Sequence, residues 1–260
     1  MKIFQNFSLI GLALMMGLAS SCATSVTGVR KSKDFTYNDI INGGMAIGGV
    51  FSIFEELSAK HKNRNATNLQ LSIQEEREDY PLTPMPEVRN TLGREKYETL
   101  MEEYATDGIF GKPALAELKS ALKERFLVVV RIENDDIGDT QYRREFPRKD
   151  ARGRIISTGG IKATIFREIK VTAHVYDLQK GKSVWNGLVS SRGVESKLYP
   201  DRKTNKDVAV LAALVNLAKG KDINPDQRTL LEKYPPPRPP PLFRLLPNAF
   251  EAFADELPES

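Results

Sequence analysis

The sequence predicts an α/β (α+β) sandwich, a mixed sheet of about four to five strands with about three to four helices on one or both faces. Three observations lead there. Leu127-Val128-Val129-Val130-Arg131-Ile132 is a β-branched run, which reads as a buried strand. Ile169, Val171, Ala173 and Val175 alternate with Lys170, Thr172, His174 and Tyr176. The turn Gln179-Lys180-Gly181-Lys182 follows, and Ser183 to Val189 returns as the partner strand. Tyr97, Leu100, Met101 and Tyr104 recur at helical spacing, with Glu95, Glu98, Glu102 and Glu103 left for solvent.

The other elements follow in chain order. Ile40 to Phe54 is uncharged, too short to span a bilayer, and carries Gly43, Gly44, Gly48 and Gly49, which make a poor helix interior. A buried strand with close backbone contacts is expected. No Gly-Lys-Ser/Thr follows these glycines and the GxGxxG spacing is absent, which argues against a phosphate loop. Asn65 to Tyr80 has helical periodicity through Leu69 and Ile73, although Leu69, Leu71 and Ile73 also alternate as in a strand. Pro81, Pro84 and Pro86 break any helix there. Gly108 and Gly111 end the Tyr97–Tyr104 helix, and Pro113 opens another that carries Leu115, Leu118 and Leu122. Glu133 to Gly160 reads as a long polar insertion. Thr204-Asn205-Lys206-Asp207 is a capping box for a helix with Val208, Leu211, Ala212 and Val215 on one face and Gly220 as its stop.

The ends of the chain differ from this domain, expected at 34–222. Met1-Lys2, the apolar run Phe7 to Leu18 and the small residues up to Ser21 have the layout of a secretory leader, 1–21. Leu18-Ala19-Ser20-Ser21-Cys22 resembles the lipobox of bacterial lipoproteins. That resemblance implies cleavage after Ser21, acylation of Cys22 and a membrane anchor of several acyl chains. Several chains hold a protein stably where one is marginal. Ala23 stands where inner-membrane retention signals place Asp, so the analogy implies the outer membrane, with the domain facing the periplasm. Residues 22–33 are expected to be a lipidated tether. At the other end, 223–260, Pro235 to Pro241 is expected to be a stiff polyproline spacer. Beyond it, a capping box at Asn248 opens a short amphipathic helix with Phe250, Phe253, Ala254 and Leu257 on one face. Phe250, Phe253 and Leu257 are candidate docking residues for a protein partner; the alternative is a tail packed on its own domain or disordered. On the docking reading the tail is dispensable for domain stability, and on the packed one it is not.

The 260 residues carry a net charge of +4, too small an excess to argue for a particular partner, and export makes nucleic acid an improbable one. Cys22 is the only cysteine, so with it acylated the fold stands without a disulfide or thiolate metal site.

Four features stand in sequence: the Gly-flanked strand, Leu92-Gly93 followed by Tyr97 and Leu100, the FLVVVRIEN strand, and the VTAHVYDLQKGKSVWNG hairpin. Together they resemble the domain shared by the curli-secretion lipoproteins, the TolB N-terminal domain and the lipoprotein activators of penicillin-binding proteins. Asp177, Gly181 and Trp185 are the most specific part of the likeness. It implies an α/β fold and a role in outer-membrane assembly, and it supplies no catalytic residues.

Candidate chemistry is sparse. His61 lies in a charged, exposed stretch, and His174 is expected at a surface or interface, with no second ligand at metal-binding spacing. Ser157 reads as a turn residue with no base beside it. Glu133 to Asp139 is rich in carboxylates but lacks the EF-hand register. Arg143, Arg144, Arg148, Lys149, Arg152 and Arg154 form a basic segment, a candidate for binding an anionic surface. The expected function is a non-enzymatic, membrane-anchored scaffold or regulator of an envelope assembly, with no cofactor and with an envelope protein or further copies of itself as partner. The alternatives are a subunit of an oligomeric export ring and an envelope hydrolase.

Overall fold

The computed structural model describes residues 23–54, 57–149, 152–153, 155–200 and 234–260, with the backbone alone for 142–149, 155–158 and 200. Its strands are β1 (Ala23–Lys31), β2 (Met45–Ser52), β3 (Leu82–Thr83), β4 (Phe126–Lys149), β5 (Ile155–Asp177) and β6 (Lys182–Pro200). Its helices are α1 (Tyr37–Gly43), α2 (Ala59–Glu76), α3 (Met85–Leu92), α4 (Arg94–Asp107), α5 (Lys112–Ala121) and α6 (Leu242–Asp255). The strand order is β1-β6-β5-β4-β2-β3. β1 is antiparallel to β6, whereas β2 is parallel to both β3 and β4. The expected α+β class holds, with more strands and helices than the sequence pattern predicts.

The residues form two compact units. The larger comprises Ala23–Gly138, Phe166–Arg192 and Pro239–Ser260, and it holds most of the core. At its centre β2 approaches β4 closely enough to exclude side chains. A Cβ at Gly48 would lie 2.5 Å from Val129 Cγ1, and the β2–β4 register shifts between Ile47 and Gly49. The glycines therefore mark a bulge and a close backbone contact, as expected of that run. α2 buries Leu69 and Ile73 and exposes Leu71, which settles its periodicity as helical. α4 buries Tyr97, Leu100, Met101 and Tyr104 and ends at Gly108 in the left-handed region (φ 76°).

Three segments differ from expectation. The supposed tether is β1, an edge strand paired with β6 from Ala23↔Arg192 to Lys31↔Trp185. Its polar composition hides Thr24, Val26 and Thr27, β-branched residues that suit a strand. The supposed insertion Glu133 to Gly160 is mostly strand, since β4 runs to Lys149 and β5 starts at Ile155, so Ser157 lies in a strand instead of a turn. A paired strand satisfies its backbone whatever charge its side chains carry. The supposed docking tail is part of the core. Phe250, Phe253 and Leu257 are only 0%, 1% and 2% exposed, and the Phe253 ring sits 4.9 Å from that of Trp185. α6 packs along α2 and on β1. It begins at Leu242, ahead of Asn248, with Pro241 as its N-cap and Pro247 inside it, which leaves the Phe243 carbonyl without its helical donor. The helix expected after Thr204 lies outside the described residues.

The smaller unit takes its described residues from Asp139–Ile165 and Gly193–Arg238. Within it Thr164 Oγ1 meets Ser196 Oγ at 3.2 Å, Tyr199 donates to the Pro235 carbonyl at 2.5 Å, and the rings of Tyr199 and Tyr234 stand 5.4 Å apart. Among the described residues no helix is long and apolar enough to cross a membrane.

Candidate functional site

Two polar networks and one open groove are candidate places for chemistry in the larger unit. The first network explains the hairpin motif. Asp177 is fully buried and accepts from Arg125 Nε at 3.0 Å and, through its other oxygen, from the Lys180 N–H at 3.0 Å. Arg125 also reaches Asp39 Oδ1 at 2.5 Å and lies 5.0 Å over the Phe126 ring. Thr36 caps α1 and, with Arg125, holds the Asp39 carboxyl below its ordinary range. Gly181 adopts φ 62°, which the turn requires, and Trp185 fills the core. Asp177, Gly181 and Trp185 are thus architectural residues.

The second network contains His174, which the alternation of β5 assigned to a polar surface. It is 7% exposed, because Tyr104 of α4 packs on it and Phe110 covers the neighbouring Tyr176. Its Nδ1 lies 3.0 Å from the Tyr104 hydroxyl on α4, and its ring packs against Tyr176, which in turn accepts from the Phe110 N–H at 3.2 Å. Beside them Arg131 forms a fork to Glu133 (2.9 and 3.0 Å) and donates to the Ala105 and Thr106 carbonyls at the end of α4. A guanidinium there satisfies carbonyls that the helix leaves unpaired. Burial, with help from Arg131, lowers the His174 pKa from 6.5 to about 4, so the imidazole is neutral at pH 7. Burial also raises the pKa of the Tyr104 and Tyr176 hydroxyls, the latter to about 12.

This network makes stability depend on pH. The unfolded chain takes up a proton at His174 near pH 6.5 and the folded chain only near 4, so stability falls as pH drops through that window and is unaffected above it. At pH 4.5 the loss amounts to roughly 2–3 kcal/mol. Urea unfolding at pH 7 and 4.5 should show His174→Gln losing less stability between the two values than the parent, by about that amount. Equal losses in both proteins would contradict a buried neutral imidazole.

The groove, of about 830 Å³, opens where β2 ends. Its floor includes Leu57, Met85 and Met101, and its rim carries Ile53 and Phe54, 46% and 57% exposed. Three helices each bring a cation to it: Lys62 from α2, Arg89 from α3 and Arg94 from α4. Arg94 Nε pairs with Glu98 at 2.8 Å, and Arg94, Lys62 and Arg89 together hold the Glu98 carboxyl below its ordinary range. Tyr97 closes the inner end by donating to the Gly48 carbonyl at 2.8 Å. The volume suits a binding site. Its charged groups suit the recognition of charge.

The structure does not gather the other residues singled out in the sequence into a site. Cys22 and Arg154 lie outside the described residues, as do the side chains of Arg143, Arg144, Arg148 and Lys149, whose backbone belongs to β4; Arg152 is exposed in a turn. His61 is exposed in the first turn of α2. Glu133 and Asp135 are engaged with Arg131 and Arg167 in ion pairs. Among the described residues no group of three or more His, Cys, Asp or Glu side chains could hold a metal ion. Sequence reasoning missed the groove because its walls come from one strand end and three helices. Its only local signal was Ile53-Phe54 at the end of the glycine-rich run.

Neither a family model nor a curated protein matches the sequence. Among solved structures the chain is similar to the PelC dodecamer from Paraburkholderia phytofirmans, at 10% identity over 77% of this chain and 100% of that one, with a TM-score of 0.29. It is also similar to the lipoprotein GNA1162 from Neisseria meningitidis, at 10% identity over 69% of this chain and 99% of that one, with a TM-score of 0.27. Scores this low decide neither fold nor function.

Proposed function

We propose that this chain is a lipid-anchored envelope protein, held on the periplasmic face of the outer membrane through Cys22, that scaffolds or regulates an assembly by binding and not by catalysis. The observation that carries this reading is the position of the only cysteine. Cys22 closes a leader-like apolar run with small residues before it, and the next residue, Ala23, opens β1. The groove supports binding: Arg94 and Glu98 already pair, and the exposed Ile53 and Phe54 suit the side chains of another protein.

Alkyne-palmitate labelling in a bacterial host, followed by density separation of the membranes, tests the anchor. Label and protein are expected together in the outer-membrane fraction, with Cys22→Ser unlabelled and released in soluble form. Label retained by Cys22→Ser, or an unlabelled soluble parent protein, would overturn it.

A further inference from the structure

A second cavity, of about 410 Å³, lies at the end of the sheet where β2, β3 and β4 begin. Three segments meet there: the last turn of α1 with Gly43 and Gly44, the stretch Pro81–Thr83 that leads through β3, and the linker from α5 to β4. The linker brings one charge of each sign, Lys123 and Glu124, and no other charged residue lines the cavity. Arg125, which follows, is held by Asp39 and Asp177. Lys123 is exposed and makes no ion pair among the described residues, with Glu124 or with any other carboxylate. Glu124 is only 7% exposed. Its Oε1 accepts from the Thr83 hydroxyl at 2.7 Å, which ties β3 to the linker. A glutamine would serve that bond equally well. Oε2 has no hydrogen-bond partner among the described residues and is open to the cavity. A carboxylate buried with one oxygen unused is costly, and nothing in the fold needs its charge.

The rest of the wall adds to this pair. Ile41 supplies an acceptor, because the Met45 N–H that would close a helical turn onto its carbonyl donates to Pro81 instead, at 2.9 Å. Asn42 is exposed and brings a side-chain amide. Gly44 keeps the approach to Glu124 clear: a Cβ there would lie 3.5 Å from Glu124 Cγ and 3.7 Å from the Pro81 carbonyl. Ile41 and Leu82, both half-buried, offer apolar contact. The volume admits a small ligand.

We propose that this cavity binds a free α-amino acid as its zwitterion. The ammonium donates to Glu124 Oε2 and the Ile41 carbonyl, the carboxylate meets Lys123 and the Asn42 amide, and a small apolar side chain lies against Ile41 and Leu82. The unpaired charges of Lys123 and Glu124 carry the assignment. An ammonium and a carboxylate on one carbon match two opposite charges on adjacent residues. A calcium or magnesium ion is a poor match, because it would meet a single carboxylate with an ammonium beside it. The inference goes beyond the scaffold reading and does not depend on it.

Saturation-transfer difference NMR on the full-length protein in detergent, with L-alanine and L-leucine as probes, tests this. At least one of the two should receive saturation. Its N-acetyl derivative, which lacks the ammonium, should receive none, and its amide, which lacks the carboxylate, should bind roughly tenfold more weakly. Glu124→Gln keeps the Thr83 bond, so it should lose binding with its melting temperature unchanged. Lys123→Met, at an exposed position, should weaken binding by about tenfold and carries the test should the buried substitution unfold the chain. Three results would overturn the proposal: no saturation of either amino acid, an N-acetyl derivative that binds as well as its parent, or binding kept by the folded variants. An amide that binds as tightly as the amino acid would make the occupant a plain amine, such as a chain terminus, which also overturns it. Acyl labelling of Cys22 is independent of these residues. Absent amino-acid binding with label retained therefore rejects this site alone.

Discussion

Deleting Pro235–Ser260 will leave a chain that does not fold. α6 contributes Leu245, Leu246, Phe250 and Phe253 to the core, and Leu257 follows directly after it, all almost fully buried. Burying each such side chain stabilises by about 1.5–3 kcal/mol, so together they account for roughly 7–15 kcal/mol, comparable to the whole stability of a typical domain. The loss also uncovers Trp185 and the α6-facing side of α2. Backbone anchors go as well. Arg77 donates to the Asp255 and Leu257 carbonyls at 2.8 and 3.0 Å, and Tyr80 donates to that of Pro258 at 2.6 Å. Expression of the truncated chain should give insoluble protein, or a soluble form without a cooperative thermal transition. A truncated protein that melts with the parent would mean that α6 is not part of the core.

Asp177→Ala is expected to cost about 3–5 kcal/mol, the usual result of removing one partner from a buried ion pair. Arg125 would keep only the more exposed Asp39, and the Lys180 N–H would lose its acceptor in the turn. Asp177→Asn retains an oxygen for the turn and should cost less. Lys180→Ala removes only a solvent-exposed pair with Asp34 and should stay within about 1 kcal/mol. Urea midpoints for the three variants check the order. Equal effects for Asp177→Ala and Lys180→Ala would show that the network contributes no more than a surface contact.

Elements whose pattern is self-contained were legible in the sequence. The stripe Tyr97, Leu100, Met101 and Tyr104, the Pro113 start and the Leu127–Ile132 strand need no distant partner to be recognised, and each lies where its spacing puts it. The errors share a cause: neighbours that local composition does not reveal. Ala23–Lys31 is polar in isolation and becomes a strand because β6 supplies hydrogen bonds along its length. His174 looks surface-bound when its strand is assumed to have one wet face, but Tyr104 and Phe110, far away in sequence, cover that face. The proline run suggested separation, yet α6, which starts directly after it, belongs to the core. As for the candidate site, a groove built from one strand end and three helices has no contiguous signature to read.

The pairing of β1 with β6 has a mechanical consequence. If Cys22 carries acyl chains as proposed, a pull on that anchor would enter the domain at Ala23, the first residue of β1. A force directed along a strand loads its ladder in shear, so the bonds from Ala23↔Arg192 to Lys31↔Trp185 bear the load together and do not unzip one at a time. Val26 and the α6 contacts add resistance from the side. The anchor is then a rigid mount, able to transmit tension between the membrane and whatever the domain holds.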